Sequence, residues 1–516
     1  MSGHIDNPGF INDDGKSNHS FTPALNSTED VSRKNGKNYM VEMNDLKKAE
    51  EATGEYEPYL HRDVEHPTTN AETLLHLLKG SLGTGILSMP LAFYHSGYLV
   101  GIICTIVIGG ICTYCIHMIV EAEYELCRRK KLPSLTYPAT AELALLEGPS
   151  FFQKCAPYAV HIINVFLLIY QMGACCVYTV FIAENVKHVA DEYIDKLDVK
   201  IWMLVFLLPL ILINYIRNLK FLAPFSTVAN FITIASFGII LYYLIKADMT
   251  FEKRNVGGNI ADFPLYFGTV LFALEAIGVI MPLENEMKTP KAFKGPCGVL
   301  NIGMISIVVL YVGMGLLGYL AYGSDVKDTI TINLSQEDIL AQVAKVMLAI
   351  AIYITHPLQL YVAIDIIWNE YLAARFEKCR YQVFYEYVVR TSLVLITFAL
   401  AVAIPKLDLF ISLFGAFCLS ALGLAFPAII QTNRTDKCAP LVGGISVHCV
   451  TIQAVLVDLY TWKVNVTTTK QKQSALVRPH KLKEKITIPE ACAKKLGDNF
   501  TMNVVVGQHS TSPAKR

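Results

Sequence analysis

Gly80-Ser81-Leu82-Gly83-Thr84-Gly85 interrupts an apolar stretch at 73–94 that is long enough to cross a bilayer. Each of its three glycines costs a helix about 1 kcal/mol relative to alanine. In hydrocarbon, an opened backbone persists only where protein or a water-lined cavity surrounds it. A small-residue packing face is the competing reading, but Gly80 and Gly85 lack GxxxG spacing. The segment therefore predicts a broken first span. Gly278-Val279-Ile280-Met281-Pro282-Leu283 offers a partner: it aligns with Gly85-Ile86-Leu87-Ser88-Met89-Pro90-Leu91 after one inserted Ser and two aliphatic swaps. Each string places a proline, which lacks a backbone donor, about one turn after a glycine. Interrupted helices at corresponding positions of two halves mark the midplane site of a transporter.

The rest of the chain agrees with a membrane setting. Of 516 residues, 53% are hydrophobic and only 17% charged, against about 25% charged in soluble domains. The 44 basic and 44 acidic residues cancel, so no basic patch suggests nucleic acid. Runs of spanning length fall at about 73–94, 98–126, 157–185, 200–216, 222–246, 263–284, 298–322, 339–367, 384–404 and 407–431, with a weaker one at 441–461. None shows the two-residue alternation of a membrane barrel. The fold class expected is an all-α polytopic membrane protein of 10 to 11 helices. Helices 1 and 6 are interrupted, and two groups of five spans are related as inverted repeats.

Residues 1–70 are polar and predict a disordered cytosolic tail. No apolar stretch follows Met1, so a cleavable signal peptide is not expected. With the tail inside, loops 127–156, 217–221, 286–297 and 369–382 hold thirteen Lys and Arg, against six in 187–199, 248–262, 323–338 and 405–406. That excess follows the positive-inside rule. The long outward loops contain no cysteine, so no disulfide is expected between them. Cys112 and Cys115 form a CxxC on an apolar helix with no second ligand pair, which favours packing over a metal site. Asn333-Leu334-Ser335 is a glycosylation sequon on an outward loop. The domain layout expected is a tail at 1–70, a transporter core at 71–432 and a divergent C-terminal region at 433–516.

A broken helix pair suits a zwitterion. A half-helix N-terminus supplies free N–H groups and positive potential, and a half-helix C-terminus supplies carbonyls. Gly83, Thr84 and Gly85 are the candidates for a carboxylate, the backbone from Phe272 to Glu275 for an ammonium, and the Ser81 hydroxyl for either. Gly278 joins them as the partner break. Tyr170, Gln171, Phe272 and Tyr353 are candidates for shaping the side-chain pocket. Ionisable groups inside spans are functional candidates: His76 before the first break, Glu275 before the second, and His356 before Pro357 in the eighth span. Histidine changes charge near physiological pH, which suits proton coupling, although a hydrogen-bonded packing role competes at each position. No nucleophile–base pair, metal cluster or phosphate loop suggests an enzyme, and no cofactor is expected besides the proton as coupling ion. A channel would instead need a continuous polar or carbonyl-lined pore.

His76-Leu77-Leu78-Lys79-Gly80 leading into Gly83-Thr84-Gly85, then Phe267-Gly268-Thr269 through Met281-Pro282-Leu283-Glu284-Asn285, resemble the proton-coupled amino acid transporter family of the amino acid and auxin permease superfamily. Leu310-Tyr311-Val312-Gly313-Met314-Gly315 and Ile364-Asp365-Ile366-Ile367-Trp368 add to the likeness, which covers about 70–432. The resemblance implies eleven helices and symport of protons with small neutral amino acids of the alanine, glycine and proline class. It implies proton coupling at His76, and a plasma-membrane or lysosomal location. A sensor that transports little and signals through partners of the N-terminal tail is the alternative. Similarity ends after about Thr432, where the family would continue into a well-formed eleventh helix.

Overall fold

The computed structural model describes residues 54–434, apart from 63, 65–66, 218, 275–276 and 377–379, together with Glu50. The weak run at 441–461 and the rest of the divergent C-terminal region beyond 434 lie outside the described residues. Within the described residues the chain is helical: α1 Asn70–Ser81, α2 Thr84–Ser96, α3 Tyr98–Lys130, α4 Tyr137–Glu147, α5 Ala156–Ala190, α6 Val199–Asn214 and α7 Leu219–Lys246 form the first half. The second half holds α8 Phe263–Leu274, α9 Ile277–Asn285, α10 Val299–Tyr322, α11 Ile339–Asp365, α12 Gln382–Ala403 and α13 Leu407–Phe414. Widened π turns then lead to α14, Phe426–Arg434.

Ten expected spans find helices within a few residues of their sequence limits. Seven segments among the described residues are individually long and apolar enough to cross a membrane. The remaining three are the first span, which breaks after Ser81, the sixth, of which 275–276 lie outside the described residues, and the sixteen-residue α6. Apolar side chains exposed at helical spacing, such as Ile103, Ile106 and Val107 on α3 and Val228, Phe231 and Ile234 on α7, form the faces that lipid covers. The protein is a multi-pass membrane protein.

Local chemistry sets the start and break of the first span. Thr69 caps α1 through a reciprocal box: Glu72 N–H donates to Thr69 Oγ1 at 3.4 Å, and Thr69 N–H donates to Glu72 Oε2 at 2.8 Å. The helix stops at Ser81. Leu82 leaves helical geometry, and Gly83 lies extended at φ −104°, ψ −151° before winding resumes at Thr84. The first span is thus interrupted inside the glycine cluster. In the sixth, α8 ends at Leu274 and α9 begins at Ile277, with 275–276 between them outside the described residues.

The first and sixth spans run antiparallel. α1 packs against α9, and α2 packs against α8, so the first half of one meets the second half of the other. Thr68 N–H donates to the Glu286 carbonyl at 2.8 Å and Lys288 N–H to the Thr68 carbonyl at 2.9 Å, pinning the start of span one to the end of span six. Spans one and six are five apart, so this is the relation that an inverted repeat of five spans requires.

Part of the stretch expected as tail is packed onto the helices. Pro58–Leu60 forms a short 3-10 turn with Tyr59 buried. Arg62 inserts between α3 and α9, with Nη2 2.9 Å from Glu284 Oε2 and 3.6 Å from Glu123 Oε1. Its Nε and Nη1 donate to the Pro133 and Glu284 carbonyls, both at 3.2 Å. The average composition of 1–70 conceals this anchor, because one arginine with two buried partners weighs little in a polar segment.

Lys345 locks the opposite end. This wholly buried ammonium donates to the Leu334 and Ser335 carbonyls at 2.9 Å each and lies 3.0 Å from His188 Nδ1. Lys345→Met deletes all three bonds and strands buried acceptors, each costing about 1–3 kcal/mol. The variant is expected to unfold several degrees earlier than the parent in detergent, measured by intrinsic fluorescence. An unchanged midpoint would remove Lys345 from the role of loop anchor.

Candidate functional site

The break in the first span abuts the end of α8. A Cβ built on Gly85 would lie 2.6 Å from Ala273 Cα and 3.0 Å from Ala273 Cβ, so only glycine allows this approach. α8 is held from behind in the same way: a Cβ on Gly268 would come 2.1 Å from the Ser412 carbonyl oxygen, and one on Gly415 1.8 Å from the Gly268 oxygen. Three backbone segments are thus stacked without side chains between them. This places Ser81, Gly83, Thr84 and Gly85 beside Phe272 and Ala273.

The hydroxyls here are unusual. Ser81 is buried and its Oγ donates back to the Leu77 carbonyl at 3.2 Å, the ordinary helical arrangement. Thr84 Oγ1 and Ser88 Oγ, on residues only 1% and 2% exposed, have no hydrogen-bond partner among the described residues. They stand four apart in sequence, hence on one face of α2. Buried hydroxyls are ordinarily bonded, so an unpaired pair at a helix start marks a place for an external polar group. Gly83, the N-cap of α2, brings no side-chain cap, which leaves the first N–H groups of the helix to a ligand. Tyr178 on α5 faces the break, its hydroxyl 3.9 Å from a Cβ built on Gly83.

Tyr311, fully buried on α10, joins the break in the first span to α8. Its hydroxyl donates to the Ala273 carbonyl at 2.6 Å and also contacts the Ser81 carbonyl. Tyr170 and Phe272 face each other with ring centroids 6.1 Å apart, forming an aromatic wall. Gln171 is buried and its Oε1 accepts from Gln359 Nε2.

Other sequence candidates lie elsewhere or face away. Tyr353 donates to the Pro209 carbonyl on α6 at 2.9 Å. His356 is fully buried and its Nδ1 lies 3.1 Å from Asn214 Nδ2, also on α6, while Nε2 has no partner among the described residues. His76 sits on the exposed face of α1, one turn after Glu72, whereas neighbouring Leu77 is wholly buried. Gly278 is exposed, and a Cβ there would meet nothing. Glu275 lies outside the described residues. Asn333 uses its amide internally, donating to the Asp325 carbonyl at 2.8 Å and accepting from Lys327 N–H at 2.9 Å. Of the intramembrane carboxylates, Glu121 is exposed, while Glu123, which the sequence reading passed over, is buried against Arg62. Tyr311, Ser88, Tyr178 and Arg62 were also missed. Tyr311, Ser88 and Tyr178 each showed a polar atom within an apolar run, and Arg62 a single charge within a polar segment.

With this geometry in hand, similarity to known proteins is informative. Residues 66–439 match the family described as transmembrane amino acid transporter protein. The chain is similar to the proton-coupled amino acid transporter-like protein pathetic of Drosophila melanogaster, 42% identical over 382 residues that cover 74% of this chain and 80% of that one. It is also similar to the probable amino acid transporter skat-1 of Caenorhabditis elegans, 26% identical over 376 residues, covering 72% and 81%. Among solved structures it is similar to Mhp1, a nucleobase-cation-symport-1 family transporter in a closed conformation with bromovinylhydantoin bound, at 12% identity and a TM-score of 0.43 over 73% of this chain and 79% of that chain.

Proposed function

The chain belongs to the transmembrane amino acid transporter family, and on that premise we propose that it carries small neutral amino acids together with protons into the cytosol by alternating access. Members of this family are transporters and not enzymes. The observation that carries the reading is the uncapped start of α2, where the buried hydroxyls of Thr84 and Ser88 lack partners beside the end of α8. A carboxylate is favoured at a helix N-terminus, and the Thr84 hydroxyl adds a donor. Carbonyls at the end of α8 suit an ammonium. The apolar wall of Phe272 and Tyr170 favours an apolar side chain over a charged one. Two half-helix termini thereby complement both charges of a zwitterion without a buried ionised side chain.

Proton coupling rests on the kinship with proton-coupled relatives and on His76 in its HLLKG string. An outward-to-cytosolic proton gradient, whether at the plasma membrane or at an acidic organelle, would drive substrate inward. The test is uptake of labelled alanine, glycine and proline at pH about 5.5 and about 7.5, bracketing the histidine range, with surface expression measured alongside. Uptake is expected to rise several-fold in acid and to collapse with an uncoupler. Uptake that ignores the gradient would overturn the coupling. His76→Ala is expected to flatten the pH profile at normal surface expression; a retained profile would move the proton site elsewhere.

A further inference from the structure

Asn214 closes α6 with an amide whose orientation the backbone dictates. Its Nδ2 lies 2.7 Å from the Leu210 carbonyl, where only a donor fits. The same nitrogen lies 3.1 Å from His356 Nδ1 on α11. An asparagine amide has two N–H bonds, so the second donates to the ring. Nδ1 is therefore bare, and the hydrogen of the neutral imidazole sits on Nε2. Both residues are buried, Asn214 at 1% and His356 at 0% exposed. Two polar atoms are left over: Asn214 Oδ1 and His356 Nε2 have no hydrogen-bond partner among the described residues.

The charges reached through Asn214 are tied to one another. Its backbone carbonyl accepts from Arg390 Nη1 on α12 at 3.0 Å. Arg390 pairs with Glu386 at 2.8 Å, and Glu386 also takes Arg217, beyond α6, at 2.8 Å. On α5, Gln171 meets Gln359, one turn from His356. Tyr170, Cys175 and Cys176 are the titratable groups of α5 near that depth, whereas Glu184 and His161 lie more than two turns away. α7 carries Tyr242, Tyr243 and Lys246 at its outward end and Lys220 at its start, with no titratable residue between. On α11 itself, Lys345 lies three turns before His356, and Tyr361 and Asp365 follow it.

We propose that Asn214 reads the protonation state of His356, so that the bond joining α6 to α11 and a proton on Nδ1 exclude each other. A second ring hydrogen can go only to Nδ1, where it meets the Nδ2 hydrogen head-on. Two responses remain. Either α6 withdraws from α11, or the Asn214 amide turns over, gives up the Leu210 carbonyl and offers Oδ1 to the new N–H. The unpartnered Oδ1 makes the second response available without any further residue. Pro357 follows His356 and lacks a backbone donor, so α11 is short of one helical bond at this point. Asn214 is a positioning residue, acting through the histidine. The inference rests on the proton-coupled reading only for its use in transport, where a proton reaching His356 would shift α6 against α11.

The test is thermal unfolding of the purified full-length protein in detergent at pH about 7.5 and about 5.5, which bracket the histidine range. A ring that stays neutral in the folded protein but takes a proton when unfolded makes stability fall as pH falls. Wild type is therefore expected to unfold several degrees earlier in acid. His356→Asn puts an oxygen where Nδ1 stood; it accepts from Asn214 and takes no proton in this range. Its midpoint is expected to lie close to wild type at the higher pH and to fall by a few degrees less in acid. Asn214→Asp offers a carboxylate to a protonated ring, so its midpoint, measured against wild type, is expected to rise on acidification. An acid loss in His356→Asn equal to that of wild type would overturn the proposal, and so would a constant offset for Asn214→Asp. Should one variant not fold, the other against wild type decides. The measurement involves no transport, so wild-type uptake that ignored the gradient would remove the symport reading and leave this result intact.

Discussion

Gly85→Val is expected to abolish uptake. A Cβ at this position meets Ala273 Cα at 2.6 Å, Ala273 Cβ at 3.0 Å and Ala273 N at 3.2 Å. These are atoms of the α8 backbone and its first side-chain carbon, so no rotamer change relieves the clash. α8 cannot retreat, because Gly268 rests against the Ser412 carbonyl and Gly415 against Gly268. The remaining response is to swing α2 away from α8, which pulls the Thr84 start from the Ala273 carbonyl and breaks the junction on which binding depends. Overpacking in a tight core costs about 1–3 kcal/mol, and a valine bearing two more methyl groups exceeds the minimal case. Gly313→Ala is the control: a Cβ there meets nothing within 4 Å, and alanine stabilises a helix by about 1 kcal/mol over glycine. Uptake normalised to surface protein should be lost in the first variant and kept in the second. Wild-type flux through Gly85→Val would mean that the first-span break and α8 do not work as a unit.

Arg62→Ala carries the second large expectation. The guanidinium is 5% exposed, and its partners Glu123 and Glu284 are 1% and 2% exposed. It also lies over the Tyr59 ring at 4.7 Å. Removing one member of a buried charged cluster costs about 3–5 kcal/mol, because the others stay buried without compensation. The replacement is expected to loosen the tail-side junction between α3 and α9, lowering the unfolding temperature and increasing proteolysis between residues 54 and 70. Adding Glu284→Gln to Arg62→Ala should restore part of the loss, since one stranded charge disappears; a double-mutant cycle measures this coupling. Strictly additive effects would deny the linkage. Burial pulls the Arg62 pKa down, but Glu284, Glu123 and Tyr59 outweigh it and hold the group above its ordinary value. For a raised basic group the contribution is fully present below the unfolded pKa and lost only above the folded one. The arginine itself therefore makes the junction no less stable anywhere in the neutral range.

How much of this was legible in the chain differs by kind of feature. Hydropathy located the spans because burial in lipid is a local demand, met residue by residue over about 20 positions. The first interruption was equally visible, since three glycines in six residues weaken a helix wherever it lies. Partner choice was not. His76 and Leu77 are neighbours, yet one is exposed and the other wholly buried, because each residue turns the helix by about 100°. Tyr353 and His356 lie in the expected eighth span but bond to Pro209 and Asn214 on α6, not to the break. Glu121 is exposed, while Glu123, two residues on, makes the buried contact.

The sequence alone determined a polytopic helical protein, the position of ten spans, the interruption of the first and the kinship with amino acid transporters. Only the tertiary structure decided that Tyr311 bridges Ser81 and Ala273, that Gly85 rests on Ala273, and that Arg62 closes on Glu123 and Glu284. The reason is physical. Hydropathy and glycine content act on contiguous residues, whereas a hydrogen bond across 230 residues depends on the rotation and depth at which separate helices come to rest.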